Sequence, residues 1–142
     1  MKTIYFIGGT MGVGKTTVCE ILNQKLDKSV FLDGDWCWRS NPFQVTEETK
    51  KMVVENICFL LNQFINCPAY KNIIFCWVMH KQEVIDNIVS KLNLENCRIK
   101  IIYIWKSWRF TETALSLHIW VWRSGKNCAC CRDNQTSYPR HY

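Results

Sequence analysis

The sequence predicts an α/β domain, a three-layer α/β/α sandwich built on a parallel sheet. Three observations carry that prediction. Short apolar runs alternate with segments in which apolar residues recur at helical spacing. The run Ile73-Ile74-Phe75-Cys76-Trp77-Val78-Met79 is apolar throughout, as a strand covered on both faces must be. The third is Gly9-Thr10-Met11-Gly12-Val13-Gly14-Lys15-Thr16-Thr17, which fits the phosphate-binding pattern G-x-x-x-x-G-K-[ST] and lies between a strand and a helix.

The elements follow in order. Thr3-Ile4-Tyr5-Phe6-Ile7 reads as the first strand, and Val18, Ile21, Leu22 and Leu26 mark one face of the helix after the glycine-rich loop. Val30-Phe31-Leu32 forms a second strand that opens at Asp33-Gly34-Asp35 into a loop through Trp36, Trp38, Arg39, Asn41 and Pro42. Thr46 is the predicted N-cap of a long helix, with Glu47 and Glu48 in the first turn, where the helix dipole favours acids. Val53, Ile57, Leu60, Leu61 and Phe64 hold one face of that helix to about Ile65, and Pro68 follows its end. The third strand covers 73–79, with His80 at its carboxyl end. Val84, Ile85, Ile88, Val89 and Leu92 repeat with helical period, and Ile99, Ile101, Ile102, Tyr103 and Ile104 make a fourth strand. Strands joined through helices need crossover connections, so the sheet is parallel with helices on both faces.

The 142 residues suit one domain, with a confident α/β core over 1–104 and an atypical tail over 105–142. In the tail Trp105, Trp108, Trp120 and Trp122 crowd together with Cys128, Cys130 and Cys131, and no helix period or fifth buried strand emerges. Two readings stand for it: an unusual native tail, or a segment shifted out of frame or truncated relative to its ancestor, which leaves the C-terminal part of the fold incomplete.

With 48% apolar and 21% charged residues the chain reads as a soluble globular protein, and no apolar run reaches the 18 or so residues of a membrane span. The apolar stretch after Lys2 is too short for a cleaved secretion signal. Nine cysteines, an odd number scattered singly over most of the chain, describe reduced buried thiols in a cytoplasmic protein better than a disulfide framework. Of the net charge of +6, an excess of +4 lies beyond Tyr103, and no helix carries a basic stripe, so no nucleic-acid partner is expected. A monomer or homodimer is expected, without a membrane partner.

The chemistry centres on the glycine-rich loop. Glycine tolerates positive φ and close approach of an anion, the next helix offers unpaired N–H groups, Lys15 reaches the outer phosphates and Thr16 holds Mg²⁺. Asp33-Gly34-Asp35 follows the second strand, and ligands of open α/β sheets bind outside the carboxyl ends of strands. A carboxylate there can hold a metal or accept a proton from an attacking hydroxyl, with Asp33 read as a metal contact and Asp35 as the base or substrate contact. A plain Asp-Gly-Asp turn is the bland alternative. Trp36, Trp38, Arg39 and Phe43 suit a planar or anionic ligand, or else simply pack beneath their loop. His80 binds substrate or assists a proton transfer, or else is merely hydrogen-bonded at a strand end. Cys128-Ala129-Cys130-Cys131 lacks the usual zinc spacing, and after Gly12-Val13-Gly14 the third glycine of a dinucleotide fingerprint is missing.

Gly9 to Thr17, followed by a strand ending in Leu32-Asp33-Gly34-Asp35, resembles the small P-loop kinases that include adenylylsulfate, gluconate and shikimate kinases. The resemblance covers roughly residues 1–104. It implies the P-loop NTPase-type fold, ATP as donor, Mg²⁺ as cofactor, and a small-molecule or nucleotide-like acceptor. Catalytic roles then fall to Lys15, Asp33 and Asp35, metal binding to Thr16 and Asp33, and acceptor binding to Asp35, Trp36, Arg39 and His80. It also implies a lid after the fourth strand with an arginine, for which Arg109, Arg123 and Arg132 are available. The expected function is transfer of the γ-phosphoryl of ATP. The alternatives are a P-loop ATPase or nucleotide-binding switch, against which stand the small size of the chain and the lack of a recognisable hydrolysis-positioning element, and a nucleotide-binding chain with impaired turnover; the absence of an Asn-Lys-x-Asp guanine motif counts against a GTPase.

Overall fold

In the computed structural model, residues 1–79, 81–106 and 117–123 are described. The first strand, β1 (Lys2–Gly9), runs into the glycine-rich loop, and helix α1 (Lys15–Lys25) follows. β2 (Ser29–Asp33) leads into a 3₁₀ turn (Gly34–Trp38), then come α2 (Glu47–Asn66), β3 (Asn72–Cys76), α3 (Gln82–Val89), β4 (Cys97–Lys106) and β5 (Leu117–Arg123). The sheet order is β2-β3-β1-β4-β5, so the strand that feeds the loop is central.

Period-two alternation divides the core into two layers. Ile4, Phe6, Ile73, Phe75 and Ile99 face α2 and α3, where Val53, Ile57, Leu61, Ile85 and Ile88 are buried against them. Ile7, Ile74, Cys76 and Ile104 face the other way, onto Cys19 of α1. Phe6 and Phe75 meet edge to face with centroids 5.4 Å apart, the arrangement their ring quadrupoles favour. Both are fully buried, and truncating either to alanine would cost about 3–5 kcal/mol.

Local chemistry sets the ends of α2. Thr46 accepts from the Thr49 amide while the Thr49 hydroxyl accepts from the Thr46 amide, a reciprocal cap, and Glu47 and Glu48 stand in the first turn. At the other end Lys2 Nζ donates to the carbonyls of Phe64 and Cys67. The last-turn carbonyls, which have no partner within the helix, are thus covered from β1.

Three expectations change. Ile21 is exposed and Cys19 is the buried residue of α1, because the helix crosses β2 and β3 on its Val18-Cys19-Leu22 side. β3 stops at Cys76, not Met79: Cys76 is the last residue paired to both Ile7 and Asp33, and beyond it β2 has turned away. The four strands β2, β3, β1 and β4 are parallel as expected, but a fifth strand exists where none is legible in the sequence, and it runs antiparallel to β4 with Tyr103 opposite Trp120. His80, Arg109, Arg132, Cys128, Cys130 and Cys131 lie outside the described residues. For Arg123 only the strand position is described.

Candidate phosphate-binding and phosphotransfer site

The loop after β1 is shaped by two glycines in particular. At Gly9 a Cβ would run into the carbonyl oxygen of Ile104, so only glycine lets β1 and β4 stay paired to the mouth of the loop. Gly14 caps α1 with φ 95°, the left-handed region that suits glycine. It has no side chain to occupy the first N–H groups of α1, and the first turn holds no acid. The first turns of α2 and α3, by contrast, contain Glu47, Glu48 and Glu83. The start of α1 therefore keeps its amide hydrogens and positive dipole end for an anion. Lys15 Nζ donates to the Thr10 carbonyl at 2.9 Å, which holds the ammonium over the loop.

Residue Asp33, at the carboxyl end of β2, is separated from β1 by β3. Helix α1 spans that gap: Thr16 Oγ1 donates to Asp33 Oδ2 at 2.9 Å. The other oxygen, Oδ1, accepts from the Asp35 amide at 3.1 Å and so caps the 3₁₀ turn. Asp33 is only 6% exposed, and among the described residues it makes no ion pair. A buried carboxylate without a counter-charge is costly; with the Thr16 hydroxyl beside it, it forms a pair of hard oxygen donors suited to a divalent cation.

The thiols around Asp33 add no charge. Hydrogen bonding to Cys19, followed by burial and the Asp33 charge, pushes the Cys76 thiol well up from its ordinary value. Burial, and after it Asp33, pushes Cys37 up.

The remaining predicted residues separate. Asp35 is exposed, and its carboxylate has no hydrogen bond or ion pair among the described residues. Trp36 is exposed and meets Phe31 edge to face at 5.2 Å, on the α1 side of the sheet. Trp38 is half-buried on the α2 side and meets Phe43 at 5.0 Å. Arg39 is exposed at the end of the 3₁₀ turn. The structure thus joins Thr16 to Asp33, ties the Asp35 amide to Asp33, keeps Lys15 over the phosphate loop, and sets Trp36 and Trp38 on opposite sides of the sheet. One neighbour escapes the sequence: Trp77, hidden in an apolar run, lies so close to Gly34 that a Cβ there would stand 2.5 Å from its Cγ.

A family model described as an AAA domain matches residues 6–104. None of the curated proteins matches the chain. Among solved structures, a chain of the Pnkp1/Rnl/Hen1 RNA repair complex is 14% identical with a TM-score of 0.59, over 72% of this chain and 32% of that one. A gluconokinase from Sinorhizobium meliloti is 15% identical with a TM-score of 0.54, over 75% of this chain and 58% of that one. The APS kinase of Mycobacterium tuberculosis is 15% identical with a TM-score of 0.55, over 72% of this chain and 73% of that one. The chain spans about a third of the RNA repair protein and under two thirds of the gluconokinase it matches. With the glycine-rich loop, the parallel strands and the Thr16–Asp33 pair in place, the chain belongs to the AAA domain family and has the fold of the small P-loop kinases.

Proposed function

We propose that the protein is an ATP-dependent phosphotransferase that moves the γ-phosphoryl group to a small-molecule or nucleotide-like acceptor. The observation that carries this reading is the 2.9 Å contact from Thr16 Oγ1 to Asp33 Oδ2, which ties the phosphate loop to the carboxyl end of a second strand. Its oxygen spacing is also that of neighbouring ligands around six-coordinate Mg²⁺, about 2.9 Å for metal–oxygen distances of about 2.0–2.1 Å. Thr16 and Asp33 would hold the ion, which when bound neutralises charge on the phosphate oxygens.

The protein's own groups do the rest. The amides at the start of α1 and the Lys15 ammonium bind the β- and γ-phosphates and stabilise the charge that gathers there. Asp35, exposed beside the buried Asp33, accepts the proton of the acceptor hydroxyl as its oxygen bonds to the γ-phosphorus. The bond from that phosphorus to the β–γ bridging oxygen breaks, ADP leaves, and the proton passes from Asp35 to solvent. Catalysis rests on positioning and electrostatics.

Among the described residues no helix is long and apolar enough to cross a membrane. A cytoplasmic location, where ATP is supplied and thiols stay reduced, belongs to the same proposal. The test is ATP consumption with a panel of acceptors, Lys15→Ala serving as control. Removing the ammonium is expected to cut kcat by about 10²–10³-fold, the size of losing one oriented charge donor. Equal turnover by both proteins would end the assignment. Hydrolysis indifferent to every small acceptor and stimulated by a protein would favour a switch instead.

A further inference from the structure

Two consecutive residues at the end of β3 flank two consecutive residues at the end of β2. Cys76 is in register with Asp33 and belongs to the core layer under α1, the side on which Thr16 Oγ1 reaches the Asp33 carboxylate. Side chains alternate along an extended chain, so Trp77 turns to the other side, half-buried against the α2 layer, where it covers Gly34. The backbone of Trp77 is tied elsewhere: its N–H donates to the Ile7 carbonyl of β1 at 3.4 Å. Two residues on, the Met79 carbonyl oxygen lies 3.5 Å from the place a Cβ on Gly8 would take. Trp77 thus touches the strand that feeds the phosphate loop with its main chain, and the turn between the two acids with its ring.

Ordinary packing does not require a glycine at position 34. Gly34 is buried and is not among the positive-φ residues, so its backbone does not demand one either. The indole does: Cβ, Cγ and Cδ1 of Trp77 occupy the space that a side chain at position 34 would need. The ring therefore lies directly on the main chain of the turn. From Gly34 the support passes both ways along the chain, to Asp33 and to the Asp35 amide, which donates to Asp33 Oδ1 at 3.1 Å. Thr16 holds the other oxygen. A shift of the turn is thus felt at the Asp33 carboxylate, and groups behind a metal ligand fix its orientation in this way.

We infer, building on the phosphotransfer reading above, that Trp77 is a positioning residue: its ring fixes the Asp33-Gly34-Asp35 turn so that the Asp33 carboxylate stays beside Thr16. It acts through Gly34 and carries no chemistry of its own. The atoms that act are Cβ, Cγ and Cδ1. Phenylalanine has the same three, whereas alanine keeps only Cβ, so the two substitutions separate support of the turn from loss of the indole.

Two readouts on the full chain test this. Calorimetry measures binding of a non-hydrolysable ATP analogue in Mg²⁺ and in EDTA, and NMR measures hydrogen exchange of the Asp35 amide. In the wild type Mg²⁺ is expected to tighten binding. Trp77→Ala should reduce that gain by about tenfold, the lower end of the roughly 10–100-fold cost of removing a group behind a metal ligand, and Trp77→Phe should keep it. Affinity in EDTA, set by the phosphate loop, should stay unchanged and reports that each variant is folded. Asp35 is exposed, and its amide exchanges by local opening, to which overall stability is indifferent; it should exchange about tenfold faster in Trp77→Ala and at the wild-type rate in Trp77→Phe. A folded Trp77→Ala protein that keeps the wild-type Mg²⁺ gain or the wild-type Asp35 exchange rate, or Trp77→Phe as impaired as Trp77→Ala, would overturn the inference. Should Trp77→Ala not fold, Gly34→Ala presses on the same contact from the other side and is expected to lose the gain likewise; an undiminished gain there would be equally fatal. A wild type that binds the analogue equally with and without Mg²⁺ would refute the metal pair of the phosphotransfer reading, and Asp35 exchange then decides the present inference by itself.

Discussion

Replacing Gly34 by alanine tests how tightly the Asp33–Asp35 turn is fitted. Gly34 does not need a left-handed backbone, so the effect is steric. The new Cβ would stand 2.5 Å from Cγ, 2.6 Å from Cδ1 and 2.9 Å from Cβ of Trp77. Carbon atoms rest at about 3.5–4.0 Å, so the indole or the turn must move by about 1 Å. Overpacking of this kind costs about 1–3 kcal/mol. If the turn yields, it also strains the bond from the Asp35 amide to Asp33 Oδ1, now 3.1 Å long, and its loss adds about 0.5–1.5 kcal/mol. The lower entropy of the unfolded alanine chain offsets about 0.4–1 kcal/mol. The expected net loss is about 1–3 kcal/mol, or roughly 3–10 °C in Tm for a chain of this size. Urea denaturation of the wild type, Gly34→Ala, Trp77→Ala and the double variant gives the coupling directly. Trp77→Ala removes Cγ and Cδ1, so the double variant should recover at least about 1 kcal/mol relative to additivity. Additive effects within about 0.5 kcal/mol, or a neutral Gly34→Ala, would refute the fit.

Three further outcomes are expected. Asp33→Asn keeps the shape of a side chain that is buried without an ion pair among the described residues; thermal melts should show no loss of stability, while the extra stabilisation that Mg²⁺ adds to bound ATP in the wild type disappears. Thr46→Ala removes one half of the reciprocal cap of α2 and should lower stability by about 1 kcal/mol in denaturant titration. The Cys37, Cys58, Cys76 and Cys97 thiols are all pushed up from 9.0, mainly by burial except at Cys76, where the bond to Cys19 leads. A raised folded value means that their contribution is complete below the unfolded thiol range and is lost as pH rises beyond it, so stability measured from pH 7 upward should fall above about 9, and under native conditions iodoacetamide should modify the half-buried Cys67 before Cys19 and Cys76.

The sequence carried the phosphate loop, the order of β1 through β4 and the cap at Thr46, because each has a local cause: a motif with fixed backbone demands, a period of two or 3.6, a side chain that satisfies its own helix end. What it hid depends on distant partners. The end of β3 is decided by where its neighbours stop pairing, which an unbroken apolar run from Ile73 to Met79 cannot disclose. β5 escaped because an antiparallel neighbour needs no crossover helix, so the alternation that announces parallel strands says nothing of it. Thr16 and Asp33 were each legible as candidate site residues, but their contact across the width of β3 follows from the path of α1. Trp77 was invisible as a neighbour of the acids for the same reason: its significance lies in the hydrogen atom that Gly34 has in place of a side chain.

The sheet order gives the two halves of the crevice different mechanical footing. The phosphate loop grows from β1, which is hydrogen-bonded on both sides by β3 and β4. Asp33 and the 3₁₀ turn after it grow from β2, which among the described residues pairs with β3 alone. In native-state hydrogen exchange β1 should be among the slowest strands to open, and β2 should open at lower free energy. The phosphate loop is thereby anchored in the stiffest part of the sheet, while Asp33 and the turn after it hang on its margin. A margin can be reshaped without disturbing the anchor, so this scaffold can vary the turn after Asp33 while leaving the phosphate loop untouched.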